Sequence, residues 1–305
     1  MKHITKKYDL VVVGGGHAGL EAALISQKLG ISVLLVSMDK KSIGRMSCNP
    51  AIGGLAKGQM VRELDVLGGF MGFFADNCTL QSKTLNLSKG RAVWSPRSQI
   101  DKIKYEKTVQ RYLQKTNLPV VEGEAVLVSE KNGKIESVVL SSGEKIFCKV
   151  AILTCGTFLN GLIRIGEKKI KAGRMGEESA VGITESLKGL GFRAGRLKTG
   201  TPPRIKKSSV RWDVGTAGYG DKDPKALSYR TKNFKPKNEP CFAFRTNEKT
   251  HDLILKNISR SPMYSGNINS SGPRYCPSIE DKVYKFSHNP SHVLQLEPEW
   301  SNSEQ

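Results

Sequence analysis

The sequence predicts an α/β fold built on a doubly wound, Rossmann-like sheet, and three observations lead to this prediction. The chain opens with an apolar strand, a glycine-rich turn and a helix, and a second apolar strand follows that helix. Farther on, turn signals at 131–133 and 142–143 separate short strands, as in an antiparallel meander. These patterns indicate a dinucleotide-binding sheet with a meander attached to it.

The opening unit carries the strongest motif. Tyr8–Val13 is a short apolar run that ends in three β-branched residues, a helix is predicted at about 17–29, and residues 31–37 form the second predicted strand. The turn between the first strand and the helix is Gly14-Gly15-Gly16-His17-Ala18-Gly19. In this context the GxGxxG pattern predicts that a dinucleotide pyrophosphate binds at the helix N-terminus.

The residue that would contact the ribose of this dinucleotide is left open. The usual acid lies about 20 residues beyond the glycine turn, close to Ser37 and Asp39. Asp39 fits either this role or that of a solvated carboxylate in a turn.

Other elements follow from the same patterns. Helices are predicted at about 55–67, 98–115 and 248–259, and a buried strand at 150–153. Residues 205–245 are polar and punctuated by Pro and Gly, so we expect them to be partly mobile. The last residues show no closing helix or strand, which favours a portion of a longer protein.

The amino-acid composition limits the classes of function and partner that fit this chain. The 305 residues are 38% hydrophobic, without an apolar run long enough for a membrane span or a secretory signal, so we expect a cytoplasmic chain with no membrane partner. Lys and Arg number 48 against 28 Asp and Glu, a net charge of +20. This balance favours polyanionic partners such as nucleic acid or nucleotide phosphates.

Six cysteines, at positions 48, 78, 148, 155, 241 and 276, show no CxxC spacing, which argues against a zinc knuckle or a thioredoxin-type redox pair. The five histidines do not cluster, so no metal site is predicted. Cys148 and Cys155 flank the strand at 150–153 and are interpreted as buried thiols. Cys48 and Cys276 lie in loops that we expect to enter helices, where the helix field lowers a thiol pKa, and Arg274 adds a cation beside Cys276. The alternative for both is a buried structural thiol.

A basic segment follows the meander. Residues 161–212 hold 13 Lys and Arg but 4 Asp and Glu. Within it Arg196, Lys198 and Arg204 surround a proline-stiffened turn, which suits phosphate or polynucleotide contacts. The alternative is a solvated linker.

Seven blocks of sequence, in order from residue 8 to about 299, carry a resemblance to a known family. They are YDLVVVGGGHAGLEAA, GRMSCNPAIGGLAKG, LNLSKGRAVWSPRSQID, GRLKTGTPPR, NEKTHD, RSPMYSG and GPRYCPSIEDK. The chain resembles the MnmG (GidA) family of bacterial tRNA uridine 5-carboxymethylaminomethyl modification enzymes.

The resemblance implies a glutathione-reductase-like FAD fold with an inserted NADH-binding region. The implied boundaries are an FAD-binding domain at 1–200, an inserted NADH- and tRNA-facing region at 201–271 and an incomplete return to the FAD domain at 272–305. It also implies a homodimer that works with the GTPase MnmE as a heterotetramer, takes carbon from methylene-tetrahydrofolate and draws electrons from NADH through FAD. Family members continue for roughly as long again, with a final FAD-binding segment and a helical domain for tRNA and MnmE.

The resemblance also assigns site residues. The turn 14–19 would hold the FAD pyrophosphate, Val126 matches an adenine-side FAD contact, and Ser179 matches a further FAD contact. Cys48 and Cys276 match the catalytic cysteines, whose attack at pyrimidine C6 would make C5 nucleophilic. The residues matched to NADH are Gly272, Pro273, Arg274, Tyr275, Pro277, Ser278, Ile279, Glu280, Asp281, Lys282 and Phe286.

Three other functions remain for comparison. A disulfide reductase would need a paired CxxC or CxxxxC motif, which the sequence lacks. The related folate- and FAD-dependent tRNA uracil methyltransferase shares the flavin fold, but the CNPAIGG and GPRYCPSIEDK strings argue against it. A truncated, non-catalytic FAD-binding fragment is the third.

Overall fold

The computed structural model describes residues 7–266 and 278–304, in which fourteen strands and seven helices are found. The strands are β1 (Tyr8–Val13), β2 (Val33–Ser37), β3 (Ala51–Gly53), β4 (Thr79–Leu85), β5 (Ser95–Ile100), β6 (Val120–Glu122), β7 (Ala125–Lys131), β8 (Lys134–Leu140), β9 (Lys145–Leu153), β10 (Leu162–Ile165), β11 (Lys168–Lys171), β12 (Thr216–Gly218), β13 (Cys241–Arg245) and β14 (Val293–Leu296). The helices are α1 (His17–Lys28), α2 (Lys57–Val66), α3 (Met71–Asp76), α4 (Lys102–Lys115), α5 (Ile183–Gly189), α6 (Glu248–Lys256) and α7 (Ile279–Lys285).

The main sheet has six strands in the order β6-β2-β1-β9-β8-β7. The first four are parallel, with Val12 opposite Leu35 on one side and Ile152 on the other. β8 and β7 then add antiparallel to the start of β9 as a meander. The predicted α/β fold, a Rossmann-like parallel sheet with an antiparallel meander, is confirmed.

Both faces of β1 are buried, and this explains its unbroken apolar sequence. Val12 packs in one cluster with Leu24 of α1 and Tyr105 of α4. Val11, which points to the opposite face, packs with Val138 of the meander. The helices therefore cover one face of the sheet and the meander the other, which leaves the carboxyl ends of the parallel strands as the edge where the glycine turn lies.

The long helix predicted at 98–115 begins later, at Lys102. Residues up to Ile100 belong to β5, which pairs with β3 and β4 in a separate sheet. The side chain of Asp101 accepts a hydrogen bond from the Lys104 N–H at 2.9 Å and thereby caps the helix. Strand pairing and this cap set the start of the helix, and helical spacing of apolar residues reports neither of them.

The polar stretch 205–245 is held by buried carboxylates. Asp76 accepts the N–H groups of Leu227 and Ser228, at 2.8 and 2.9 Å, and Asp65 accepts that of Tyr229 at 2.8 Å. Both aspartates are buried. Part of the segment expected to be mobile is therefore fixed onto α2 and α3.

A third sheet contains a late strand, β14, which is not among the predicted elements and does not join the main sheet. Its order is β12-β13-β14, with β14 antiparallel to β13. Beyond β14 the chain returns to the β3-β5-β4 sheet, where Glu297 pairs with Arg97 at 2.6 Å and the Pro298 carbonyl accepts from the Gln99 side chain at 3.0 Å. None of the described helices is both long and apolar enough to cross a bilayer.

Candidate functional site

The glycine turn between β1 and α1 has the close approaches that exclude larger residues. Gly14 adopts φ +111°, and a Cβ there would lie 2.5 Å from the Thr154 carbonyl oxygen. A Cβ on Gly19 would lie 1.8 Å from the Gly14 carbonyl oxygen. The start of α1 is thus packed directly on the turn and on the end of β9.

Gly16 differs from these two glycines because a Cβ there would meet no atom within 4 Å. Gly16 is also the N-cap of α1, whose N-terminus has no side-chain cap and no acidic residue in its first turn. Free N–H groups and the helix dipole therefore face open space at the carboxyl edge of the sheet. A Cβ would enter the space that a pyrophosphate requires, so the residues present fit that group.

The side chain of His17 packs away from this space. Its Nδ1 lies 3.4 Å from the Tyr105 hydroxyl, and the two rings meet edge to face with centroids 5.4 Å apart. Burial, together with the positive charge of Arg174, lowers the pKa of His17 to about 4. The imidazole is therefore neutral at pH 7, and His17 would contribute its backbone N–H to an anion.

The segments that contain Val126 and Ser179 meet near the end of β2. The Gly123 N–H donates to the Ser37 carbonyl at 2.9 Å, and a Cβ on Gly182 would lie 2.7 Å from the Val126 carbonyl oxygen. Glu124 also accepts the Val181 N–H at 2.8 Å. The structure brings residues 124–126 and 180–182 together, with Ser179 directly before the second segment.

Of the two roles predicted for Asp39, a ribose contact or a carboxylate in a turn, the structure shows the turn contact. Its carboxylate accepts the Lys41 N–H at 2.8 Å and caps a short 3₁₀ turn after β2. One carboxylate oxygen is thus engaged in local structure rather than left for a ribose.

Cys48 is exposed, and the loop around it is fixed by arginines. Arg204 donates to the Cys48 carbonyl at 2.8 Å, and Arg174 donates to the Ser47 hydroxyl at 2.9 Å. The expected helix start is wrong: Cys48 precedes the strand β3, and α2 begins only at Lys57. The loop reaches β5 by strand pairing instead, so Cys48 does not lead directly into a helix.

Arg45 and Arg174 form a network of ion pairs that the sequence motifs do not predict. Arg45 pairs with Glu106 of α4 at 3.1 Å and with Glu177 at 2.8 Å, and Arg174 pairs with the same Glu177 at 2.7 Å. The network joins the Cys48 loop to α4 and to the segment that precedes Ser179. The sequence contains one signal of this network, because the tripeptide Gly-Arg-Met that holds each arginine occurs twice, at 44–46 and 173–175.

The second predicted catalytic thiol, Cys276, lies outside the described residues, as do Gly272, Pro273, Arg274, Tyr275 and Pro277. Of the remaining residues matched to NADH, Ser278 and Asp281 form a capping box at the start of α7. Asp281 also accepts the Tyr264 hydroxyl at 2.7 Å. These two side chains are thus engaged in local structure. The others matched to NADH are Ile279, Glu280 and Lys282, which are partly buried, and Phe286, which is exposed.

The three predicted tRNA contacts each have a partner within the chain. Arg196 donates to the Asn160 carbonyl at 2.9 Å, and Lys198 lies 3.9 Å from Glu280. Arg204 pairs with the buried Glu299 at 3.1 Å. Carboxylates pair with Lys198 and Arg204 and a backbone carbonyl accepts from Arg196, so these side chains connect segments of the chain to one another.

The other described cysteines are less accessible than Cys48. Cys78, Cys148 and Cys241 are buried and Cys155 is partly buried. Burial raises the pKa of each of these four thiols, that of Cys241 to about 11. Within the described residues, no group of three or more His, Cys, Asp or Glu side chains is arranged to hold a metal ion.

Comparison with known proteins agrees with these features. The family model described as glucose inhibited division protein A matches residues 9–305. The tRNA uridine 5-carboxymethylaminomethyl modification enzyme MnmG of Thermodesulfovibrio yellowstonii is 48% identical over 295 residues, which cover 96% of this chain and 47% of the relative. MnmG of Chlorobaculum tepidum is 47% identical over 299 residues, which cover 97% of this chain and 48% of the relative.

Among solved structures, GidA of Aquifex aeolicus in its form I crystal superposes with a TM-score of 0.91 at 40% identity. That match covers 98% of this chain and 51% of the Aquifex chain. The chain therefore spans about half the length of the relatives it matches.

Proposed function

The chain belongs to the GidA family, and from this premise we propose that it forms the flavin-binding part of an enzyme that modifies uridine in tRNA. The observation that carries the proposal is the uncapped N-terminus of α1, which faces open space beside Gly16. The exposed Cys48 lies in a loop tied by Arg174 and Arg204 to the segments that follow the meander. An anion site and an accessible thiol on a flavin-enzyme fold are what this chemistry requires.

FAD is the dinucleotide we assign to the glycine turn. The backbone at 14–19 would hold its pyrophosphate, and the segments around Val126 and Ser179 would lie on its adenine side. FAD supplies electron transfer when bound. His17 stays neutral, because burial lowers its pKa, and Gly16 leaves the backbone open to close approach.

Cys48, with Cys276 as the second thiol, is assigned to the uridine. A thiolate adds to pyrimidine C6, and the C5–C6 electron pair then makes C5 nucleophilic toward a one-carbon unit. Loss of the C5 proton expels the thiolate and restores the C5–C6 double bond. Arg174 and Arg204 position the Cys48 loop for this step through the Ser47 hydroxyl and the Cys48 carbonyl.

The remaining assignments belong to the whole enzyme. We assign carbon supply to methylene-tetrahydrofolate and electron supply to NADH bound near residues 278–286. The product is a 5-carboxymethylaminomethyl or aminomethyl group at the wobble uridine. The GTPase MnmE is the proposed partner of a homodimer, and the cytoplasm, where tRNA is found, is the proposed compartment.

FAD titration of the purified 305-residue chain tests the first step. Gly16→Val should reduce flavin affinity at least tenfold, because the side chain occupies the space beside the helix N-terminus. Gly189→Val is the matched control, since a Cβ at Gly189 also meets nothing within 4 Å and this glycine lies at the end of α5, away from the turn. Equal FAD affinity in the chain and both variants would remove the glycine turn from flavin binding.

A further inference from the structure

The Cys48 loop, residues 43–50, starts on the glycine turn itself. The Gly44 N–H donates to the Gly15 carbonyl at 3.0 Å, and a Cβ on Gly15 would lie 2.7 Å from the Ile43 side chain. Cys48 follows Gly44 by four residues, which span at most about 14 Å between the two Cα atoms. The exposed thiol therefore lies on a short arm of the backbone to which we assign the pyrophosphate.

Glu177 is the point at which two arginines of this region meet. Its Oε1 accepts from Arg45 Nη1 at 2.8 Å, and its Oε2 accepts from Arg174 Nη2 at 2.7 Å and from Nε at 3.1 Å. Arg174 in turn donates from Nη1 to the Ser47 hydroxyl at 2.9 Å. These four side chains form the Glu177 clasp, which holds the Cys48 loop at Arg45 directly and at Ser47 through Arg174.

Glu177 and Arg174 are fixed relative to each other by one closed turn of the backbone. The Glu177 N–H donates to the Arg174 carbonyl at 3.0 Å, and the Gly173 N–H donates to the Glu177 carbonyl, also at 3.0 Å. The side chain of Arg174 is 16% exposed and that of Glu177 is 22% exposed. Because the turn is bonded to itself and its side chains are largely buried, it can act as a rigid support for the loop.

The charges within this network balance, so the contribution of the clasp is geometric. Arg45 also pairs with Glu106 of α4 at 3.1 Å, and the network thus contains two arginines and two glutamates. Charge-assisted hydrogen bonds between such groups are short and directional. The clasp also lies within electrostatic range of the start of α1, because the charge of Arg174 contributes to the lowered pKa of His17.

We propose that Glu177 is a positioning residue that holds the Cys48 thiol in a fixed place relative to the flavin. The inference rests on the proposed function, because it takes the glycine turn as the FAD site and Cys48 as the nucleophile. The chain leads from Glu177 to Ser179 and on to Gly182, which lies against the Val126 carbonyl. One segment would then contact the cofactor and orient the loop that carries the nucleophile.

Amide hydrogen exchange of the flavin-free 305-residue chain tests whether the clasp orders the loop. Glu177→Gln keeps the size of the side chain and removes its charge, so the Gly44 and Arg45 amides should exchange at least about tenfold faster, and β1 should be unaffected. Glu167→Gln is the matched control, since Glu167 pairs with Arg260 at 3.6 Å on an exposed surface. Unchanged exchange in Glu177→Gln, or equal acceleration in both variants, would overturn the inference.

The rate of tRNA modification per bound flavin, in a full-length enzyme that contains this sequence, tests the effect on the reaction. Glu177→Gln should lower this rate at least about tenfold and change flavin affinity and the KM for tRNA less than about threefold, because a misplaced nucleophile slows the chemical step. Ser47→Ala alters an exposed side chain and should show the same pattern with a smaller decrease. A purely structural role would lower flavin occupancy and leave the rate per flavin unchanged.

The double variant Glu177→Gln/Ser47→Ala is the sharpest comparison. If both side chains act through one clasp, the double variant should be no slower than Glu177→Gln alone, whereas independent effects would multiply. Multiplied effects, or a wild-type rate per flavin in Glu177→Gln, would overturn the positioning role while the proposed function stands. A wild-type rate in Cys48→Ser would overturn the proposed thiol chemistry and the positioning role together.

Discussion

Arg204 donates a hydrogen bond to the backbone carbonyl of Cys48 over 2.8 Å, although the two residues lie 156 positions apart in the sequence. The same guanidinium pairs with Glu299, whose side chain is only 7% exposed. One arginine therefore connects the thiol loop to the chain segment that follows β14. Its neighbourhood also lowers the pKa of Lys102, through burial and then through the charge of Arg204 itself.

Arg204→Ala should destabilise the chain by about 1–3 kcal/mol, because it leaves the Cys48 carbonyl without this donor and the buried Glu299 with one cation fewer. Arg211→Ala is the matched control, since Arg211 pairs with Asp213 at 3.2 Å on an exposed surface. We expect the control to cost less than about 0.5 kcal/mol. Urea unfolding of both variants measures the difference.

The same pair of variants separates an anchoring role of Arg204 from tRNA contact. If Arg204 anchors the chain, Arg204→Ala should lower stability and keep the wild-type salt slope for tRNA binding. If Arg204 contacts a phosphate, the variant should keep its stability and show a flatter salt slope. Normal stability together with a flattened salt slope would contradict the anchoring role and support a tRNA contact by Arg204.

Gly19→Ala should destabilise the fold by about 3 kcal/mol, because a Cβ 1.8 Å from the Gly14 carbonyl forces α1 away from the turn. Gly16→Ala should cost less than about 1 kcal/mol, since its Cβ enters open space and φ −76° suits alanine. Thermal melting of the flavin-free chain compares the two. Similar melting temperatures for both variants would contradict the packing that the structure assigns to Gly19.

The fold was predictable where the spacing of apolar residues and a backbone position that requires glycine indicate the same element. β1, the turn 14–19 and α1 appear where the apolar spacing placed them, because β1 is buried on both faces and Gly14 requires φ +111°. The start of α4 was not predictable from spacing, because pairing of β5 with β3 and β4 is non-local. Residues 98–100 directly precede a helical pattern in the sequence, but in the structure they pair with the neighbouring strands.

The candidate site was only partly predictable for a related reason. The glycine turn carries its function in its own backbone, so its local sequence is sufficient. The Cys48 loop depends on Arg174 and Arg204, which come from distant segments and whose partners are a hydroxyl and a carbonyl. A sequence motif shows that such arginines are basic but does not show what they contact, so the tRNA contact of Arg204 stays a prediction.

The stability of the flavin-free chain should fall as the pH is lowered from about 6.5 to about 4. Burial lowers the pKa of His17 to about 4, so the folded chain binds a proton there less readily than the unfolded chain does. Stability that depends on neutral His17 is complete above pH 6.5 and is lost, by up to about 3 kcal/mol, as the pH falls toward 4.

His17→Gln should flatten this part of the pH profile, and the exposed His288→Gln should leave it unchanged. Urea unfolding at half-unit pH intervals gives the profiles. An unaltered slope in His17→Gln would mean that carboxylates elsewhere account for the loss of stability, and the burial of His17 would then have no thermodynamic consequence.

Cys48 should be alkylated by iodoacetamide at least about tenfold faster than Cys78, Cys148, Cys155 or Cys241. Cys48 is exposed, whereas burial limits access to the other four and raises their pKa, which lowers their thiolate fraction near neutral pH. Timed labelling with peptide mass mapping measures each site separately. Labelling of Cys155 at the rate of Cys48 would contradict the assigned accessibility.

Cys48→Ser then decides between a catalytic and a structural thiol. In a full-length enzyme that contains this sequence, we expect FAD to stay bound while tRNA modification per bound flavin falls at least about a hundredfold, because a hydroxyl is a far weaker nucleophile at neutral pH. Cys155→Ser is the control, since that thiol is partly buried and should affect stability alone. A normal rate per flavin in Cys48→Ser would remove Cys48 from the mechanism and leave Cys276 as the candidate nucleophile.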